Sequence, residues 1–135
     1  MRSSTESVTI NVDHRHLFEF LADPYNLPKC AVGFCRAIRR EGDRWVVQTS
    51  QGEAAVRYVT HPDLGVVDFY IAAAPGLEVA AFSRVVPNAD GAEYVFTQFQ
   101  APGMPDDLFE SQVRALKEEL VVLRALMHAQ AACRV

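Results

Sequence analysis

Polar and apolar residues alternate along Ser7-Val8-Thr9-Ile10-Asn11-Val12, which predicts a strand with one buried face. Asp13 follows as a helix N-cap, its carboxylate placed to accept from the free amides of a first turn. Leu17, Phe18, Phe20 and Leu21 set apolar groups on one broad side of that helix. Pro24 limits it, because the residue before a proline avoids helical angles. The stretch Pro24-Tyr25-Asn26-Leu27-Pro28 has room for a second short helical piece, since proline suits a first helical position. Six further strands are expected at residues 35–41, 44–50, 53–60, 65–72, 77–87 and 92–100. Gly42-Asp43, Gln51-Gly52, His61-Pro62-Asp63, Pro75-Gly76 and Asn88-Ala89-Asp90-Gly91 break them. Short Gly/Pro/Asn/Asp loops between alternating segments read as consecutive hairpins. The expectation is an antiparallel meander, not the alternating strand–helix units of a parallel sheet.

After Ala101-Pro102-Gly103-Met104-Pro105 the period changes. Phe109, Val113, Leu116, Leu120, Leu123 and Met127 recur at spacings of 4-3-4-3-4, one apolar stripe on a helix expected from 106 to 133. Asp107 with Glu110 resembles an acidic capping box. Glu110–Arg114 and Arg114–Glu118 are i,i+4 pairs on the solvent side, each contributing a few tenths of a kcal/mol. About 27 residues at 1.5 Å each give roughly 40 Å, longer than a small sheet is wide. The stripe therefore needs either the whole sheet or a partner chain to cover it. Core is the first reading and a homodimer seam the alternative.

The 135 residues and a hydrophobic half fit one globular domain spanning 1–135 with one sizeable core. A net charge of −4 without a Lys/Arg run argues against nucleic acid as a partner and against a polybasic membrane anchor. No stretch approaches the ~20 apolar residues of a membrane span, so no membrane insertion is expected. Met1-Arg2-Ser3-Ser4-Thr5-Glu6 lacks the apolar core of a signal peptide, which makes a cytoplasmic location the expectation. Cys30, Cys35 and Cys133 are expected to remain thiols in that compartment.

The order strand, two short helices, six-strand meander and long helix is that of the helix-grip fold, an α+β architecture. The sheet, of about seven strands, wraps around the C-terminal helix. The chain resembles the START-like (SRPBCC) superfamily, which groups polyketide cyclases, lipid-transfer domains and pollen-allergen-type proteins. The resemblance covers about residues 7 to 127. It is carried by Val8-Thr9-Ile10 before Asp13, by Leu17-Phe18-Glu19-Phe20-Leu21-Ala22-Asp23-Pro24 running into Asn26-Leu27-Pro28, and by the helix start after Pro102-Gly103-Met104. Many bacterial members have a tryptophan where this chain has Cys30, a departure that would reshape one end of a pocket. The resemblance implies a cavity but no particular chemistry, because the superfamily mixes enzymes with carriers.

Simple hairpin register puts Arg57 opposite Asp68 and Tyr58 opposite Val67. Continued outward, it places Val56, Tyr58, Val67, Phe69 and Phe82 on one face. A tight last hairpin adds Arg84, Tyr94, Phe96 and Gln98 to that face and leaves Trp45, Arg57, Asp68 and Tyr70 on the other. The aromatic face is taken as the cavity wall, roofed by Leu116 and Leu120. A slip of one residue exchanges the faces. Arg84 is a candidate partner for a ligand carboxylate or enolate, Tyr58 and Tyr94 are candidate donors to a carbonyl, and Gln98 orients it. The alternative is that the tyrosines are core rings and Arg84 lies at the sheet edge. Arg57 and Asp68 are expected to form a surface pair.

His14, His16, His61 and His128 are expected at the surface. No metal site follows from their spacing, and no catalytic residue can be assigned. No nucleophile elbow, phosphate-binding glycine loop or cofactor motif is present in the sequence, so no cofactor is expected. Three functions remain open. One is binding or transport of a hydrophobic or amphipathic small molecule, and a second is a cyclase or dehydratase acting through Arg84 and the tyrosines. The third is an interaction module with a collapsed interior.

Overall fold

The computed structural model describes residues 1–74 and 77–132. The expected Pro75-Gly76 turn and Cys133 lie outside them. In chain order the elements are β1 (Ser3–Ile10), α1 (His14–Ala22), α2 (Leu27–Cys30), β2 (Ala37–Glu41), β3 (Arg44–Thr49), β4 (Gly52–His61), β5 (Val66–Ala74), β6 (Leu77–Asn88), β7 (Gly91–Phe99) and α3 (Asp106–Ala132). A turn of 3-10 helix over Pro24–Asn26 joins α1 to α2. This is the helix-grip order expected from the sequence.

The strands form one seven-stranded antiparallel sheet in the order β1-β7-β6-β5-β4-β3-β2. Every neighbour from β2 to β7 is consecutive in the chain, and β1 closes the far edge against β7. Asp13 caps α1 as expected, accepting from the Arg15 amide at 2.8 Å. Gly65 turns the chain from β4 into β5 at φ +69°, where a Cβ would stand 2.1 Å from the Val85 carbonyl oxygen. Only glycine fits that position.

The helix α3 runs alongside β1. Arg2 meets Asp106 and Glu110 at 3.7 and 3.4 Å, Lys117 meets Glu6 at 3.8 Å, and the Asn11 amide donates to His128 Nε2 at 3.1 Å. His128 is thereby a structural tie between helix end and strand end. Phe109, Leu116, Leu120, Leu123 and Met127 are buried within the chain, so the stripe is core. Two local expectations change. Asp107 lies in the first turn of α3, not at its cap, because the helix already begins at Asp106. Glu110 pairs with Arg2, the residue before β1.

The core lies between the concave sheet face and the three helices. It joins Val8, Ile10, Leu17, Phe20, Leu21, Val47, Val56, Val67 and Val85 to the α3 stripe.

Candidate functional site

Register decides which side chains enter the interior. In the β4–β5 hairpin the pairing is two residues displaced from the simple one, with Tyr58 opposite Phe69 and Arg57 opposite Tyr70. The cause is the 3-10 turn at Pro62–Leu64, which closes the hairpin on His61 and Val66. A shift of two preserves the faces. Arg57 and Asp68 consequently do not pair. Arg57 reaches Glu78 at 3.1 Å and lies 4.2 Å over the Tyr70 ring, while Asp68 accepts from the Ser83 amide at 3.3 Å.

Between β5 and β6 the displacement is odd, and it corrects two of the proposed wall residues. A hairpin carried straight back from Ala74 opposite Leu77 would set Phe69 against Phe82. Instead the pairing steps by one residue between Ala72 and Ala74, so that Phe69 faces Ala81. Phe82 and Arg84 are thereby turned to the outer face. Phe82 is 39% exposed and packs edge-on against Tyr70 and Phe99. Arg84 is exposed and donates through Nε to the Leu64 carbonyl at 2.9 Å. Trp45 moves the other way. The β3–β4 hairpin closes on Thr49 opposite Gly52, which puts Trp45 opposite Val56 on the inner face. There it meets Tyr25 edge-on with ring centroids 4.9 Å apart. Replacing Arg84 with methionine is therefore expected to change binding of any interior ligand less than about twofold, as surface substitutions do; calorimetric titration of the variant checks this.

The remaining predicted residues do converge. Tyr58 and Phe69 stack edge-on at 5.0 Å, Phe69 and Phe96 lie 6.0 Å apart, and Tyr94 and Phe96 lie 6.3 Å apart. These rings come from β4, β5 and β7, and β6 contributes the small Ala81 and Ser83 between Phe69 and Phe96, with Val85 opposite Tyr94. Leu116 and Leu120 bring α3 into the same cluster. Phe82 paired with Thr97 sets Gln98 beside Ala81. Tyr58, Phe69, Ala81 and Gln98 thus form one row across the inner face. The backbones at its ends are about 14 Å apart, three strand spacings.

Two polar atoms in that row stand out. Tyr58 Oη and Gln98 Nε2 are buried and have no hydrogen-bond partner among the described residues. Tyr94, by contrast, has a side-chain hydrogen bond with Ser83, whose hydroxyl also donates to the Val67 carbonyl. Burial pushes both phenols well above the ordinary tyrosine range. Both stay neutral in water of any ordinary pH.

Two further groups lie nearby, of which the sequence pointed to Cys30 but not to Glu119. Glu119 of α3 is tucked against the loop after α2, where an added Gly33 Cβ would stand 3.1 Å from Oε1. Burial pushes its carboxyl up to about 7, opposed by a hydrogen bond from the Gly33 backbone. Its only signal in the sequence is position: three residues after Leu116 and four before Leu123, it lies on the flank of the apolar stripe. Cys30, a buried free thiol, is pushed up to about 11, by burial first and then by the nearby Glu119 carboxylate. Among the described residues no group of three or more His, Cys, Asp or Glu converges as a metal site, and no helix is long and apolar enough to cross a membrane.

The sheet and grip helix have clear counterparts among solved structures. Zhui aromatase/cyclase from Streptomyces sp. R1128 superposes with a TM-score of 0.73 at 16% identity, over 96% of this chain and 95% of that one. The fold is the helix-grip fold. Ara h 8.0201 has the same architecture, with a TM-score of 0.68 at 12% identity over 95% of this chain and 98% of its own. The di-domain aromatase/cyclase BexL of the BE-7585A biosynthetic pathway matches with a TM-score of 0.74 at 14% identity. That match takes in 93% of this chain but only 46% of BexL. No protein-family model matches the chain, and no curated protein matches it by sequence. At these identities the likeness establishes the fold alone.

Two open depressions lie elsewhere. One of about 330 Å³ sits between Arg2, Ser4 and the first turns of α3. The other, about 320 Å³ and apolar, lies by Leu77, Phe82, Phe99 and Pro102. Neither contains the Tyr58–Gln98 row.

Proposed function

We propose that the protein binds a hydrophobic or amphipathic small molecule between the inner sheet face and α3. The observation that carries this reading is the pair of buried, unpartnered groups, Tyr58 Oη and Gln98 Nε2, set at the two ends of an aromatic row. A buried polar group left unsatisfied costs about 1–3 kcal/mol, and native proteins leave few of them. A ligand that accepts from both, while covering Phe69 and Phe96, removes that cost. Its apolar surface adds about 25 cal/mol per Å² buried, before ordering costs. The cyclase activities of Zhui and BexL belong to those proteins. A cyclase role through Arg84 loses its basis here, since Arg84 faces outward.

Native mass spectrometry of protein purified from its own host tests the reading. The expected result is a bound small molecule, released on denaturation, whose occupancy falls in a Tyr58→Phe, Gln98→Met double variant. Retention of the same molecule at full occupancy by that variant would place the ligand elsewhere.

A further inference from the structure

The outer face of the sheet is polar along one edge and apolar further in. An antiparallel sheet with helices on one side normally alternates apolar inside with polar outside. Along β1 that rule holds. Ser3, Thr5, Ser7 and Thr9 point outward, Thr5 meeting Thr97 at 2.8 Å and Thr9 meeting Glu93 at 2.6 Å. Towards β5 and β6 it fails. Tyr70 and Ala72 of β5 and Ala80 and Phe82 of β6 share the outer face with Phe99 of β7. Tyr70 and Phe99 stack edge-on against Phe82, their ring centroids 6.2 and 5.8 Å from its own. Beside them Leu77, Phe82, Phe99 and Pro102 line the open apolar depression of about 320 Å³. Leu77 is 48% exposed. Monomeric proteins rarely leave a large contiguous patch of this kind uncovered.

We propose that this outer patch is a two-fold interface with a second copy of the chain, Leu77 and Phe82 of each protomer entering the depression of the other. The inference stands apart from the interior binding reading. Three features favour a second copy over another occupant. The patch carries projecting side chains and a hollow together, as a self-complementary interface requires. Arg57 and Glu78 border it as a pair of opposite sign, 3.1 Å apart and each about half exposed. Two copies in apposition can therefore set each sign against its opposite, where a singly charged rim would repel itself. The third feature is area. The chain exposes 7907 Å², whereas a monomer of its 15.0 kDa exposes about 7,000 Å². The surplus of roughly 900 Å² is close to the ~800 Å² that each partner buries in a stable dimer.

Sedimentation equilibrium of the full chain at micromolar concentration tests this. The expected result is a species of twice the chain mass. Phe82→Arg and Leu77→Asp should each weaken association at least about hundredfold, because every substitution enters a two-fold interface twice. Both side chains are exposed, and circular dichroism establishes that the variants are folded. Val121→Arg, at a residue of α3 that is 54% exposed, should leave association unchanged. A parent that is monomeric overturns the proposal, whether it stays free or sediments with phosphatidylcholine vesicles. A dimer that survives both outer-face substitutions, or that is lost in Val121→Arg instead, places the interface elsewhere and overturns it as well.

Discussion

Glutamine at position 119 is expected to stabilise the protein at pH 8 by about 2 kcal/mol and to flatten its stability between pH 5 and 7. The carboxyl of Glu119 moves from an ordinary 4.5 to about 7 on folding, with burial as the main cause. The folded state then holds more protons than the unfolded state between those two values. Stability is full below about pH 4.5, falls as the pH rises through the window, and stays reduced above 7. A rise of that size corresponds to about 3 kcal/mol at 1.36 kcal/mol per pH unit, and partial exposure of the side chain lowers the figure. Glutamine keeps the shape and the acceptor for the Gly33 amide but carries no charge. Asp13 and Glu53 are shifted the opposite way, by the Arg15 amide and by the Arg39 guanidinium respectively. Their contributions are lost only as the pH falls below the usual carboxylate range, so the two windows do not overlap. Urea unfolding followed by fluorescence of Trp45, the single tryptophan, measures the effect from pH 5 to 8. Parallel curves for the two proteins would show that Glu119 is solvated in the folded state.

The fold is easier to read in the sequence than the site. The hairpin loops and the 4-3-4-3-4 stripe are local signals, repeated many times, and together they specify strand order and the burial of α3. The site depends on parity. One extra residue between Ala72 and Ala74 turns Phe82 and Arg84 outward, and no composition rule marks that step in a run of three alanines. The hairpin at Pro62–Leu64 is equally irregular, yet its displacement of two leaves Tyr58 and Phe69 where alternation placed them. Glu119 escaped notice for a different reason. A carboxylate on the flank of an apolar stripe reads as a solvated edge, and only the loop carrying Gly33, folded back from α2, closes over it. That contact joins residues far apart in the chain, and helical periodicity carries no information about it.

Removing the polar ends of the aromatic row should raise stability and weaken binding together. Tyr58→Phe deletes a hydroxyl that is buried without a partner. The ring keeps its edge-on contact with Phe69 at 5.0 Å. In an ordinary core a buried tyrosine hydroxyl is hydrogen-bonded, and its loss destabilises by about 1 kcal/mol. Here the sign is reversed: the unliganded variant is expected to gain about 1 kcal/mol, since a desolvated group with no compensation has been removed. Gln98→Met follows the same logic with similar volume. The two positions are separated by Phe69 and Ala81 and share no partner, so their effects should add to about 2 kcal/mol. Ligand affinity should move the opposite way, weakening about fivefold to tenfold for each donor lost and about fiftyfold for the pair. Thermal unfolding with and without ligand reads both quantities in one experiment. A double variant that is less stable than the parent would mean that the two groups are satisfied within the folded chain, and the interior would then be a core rather than a site.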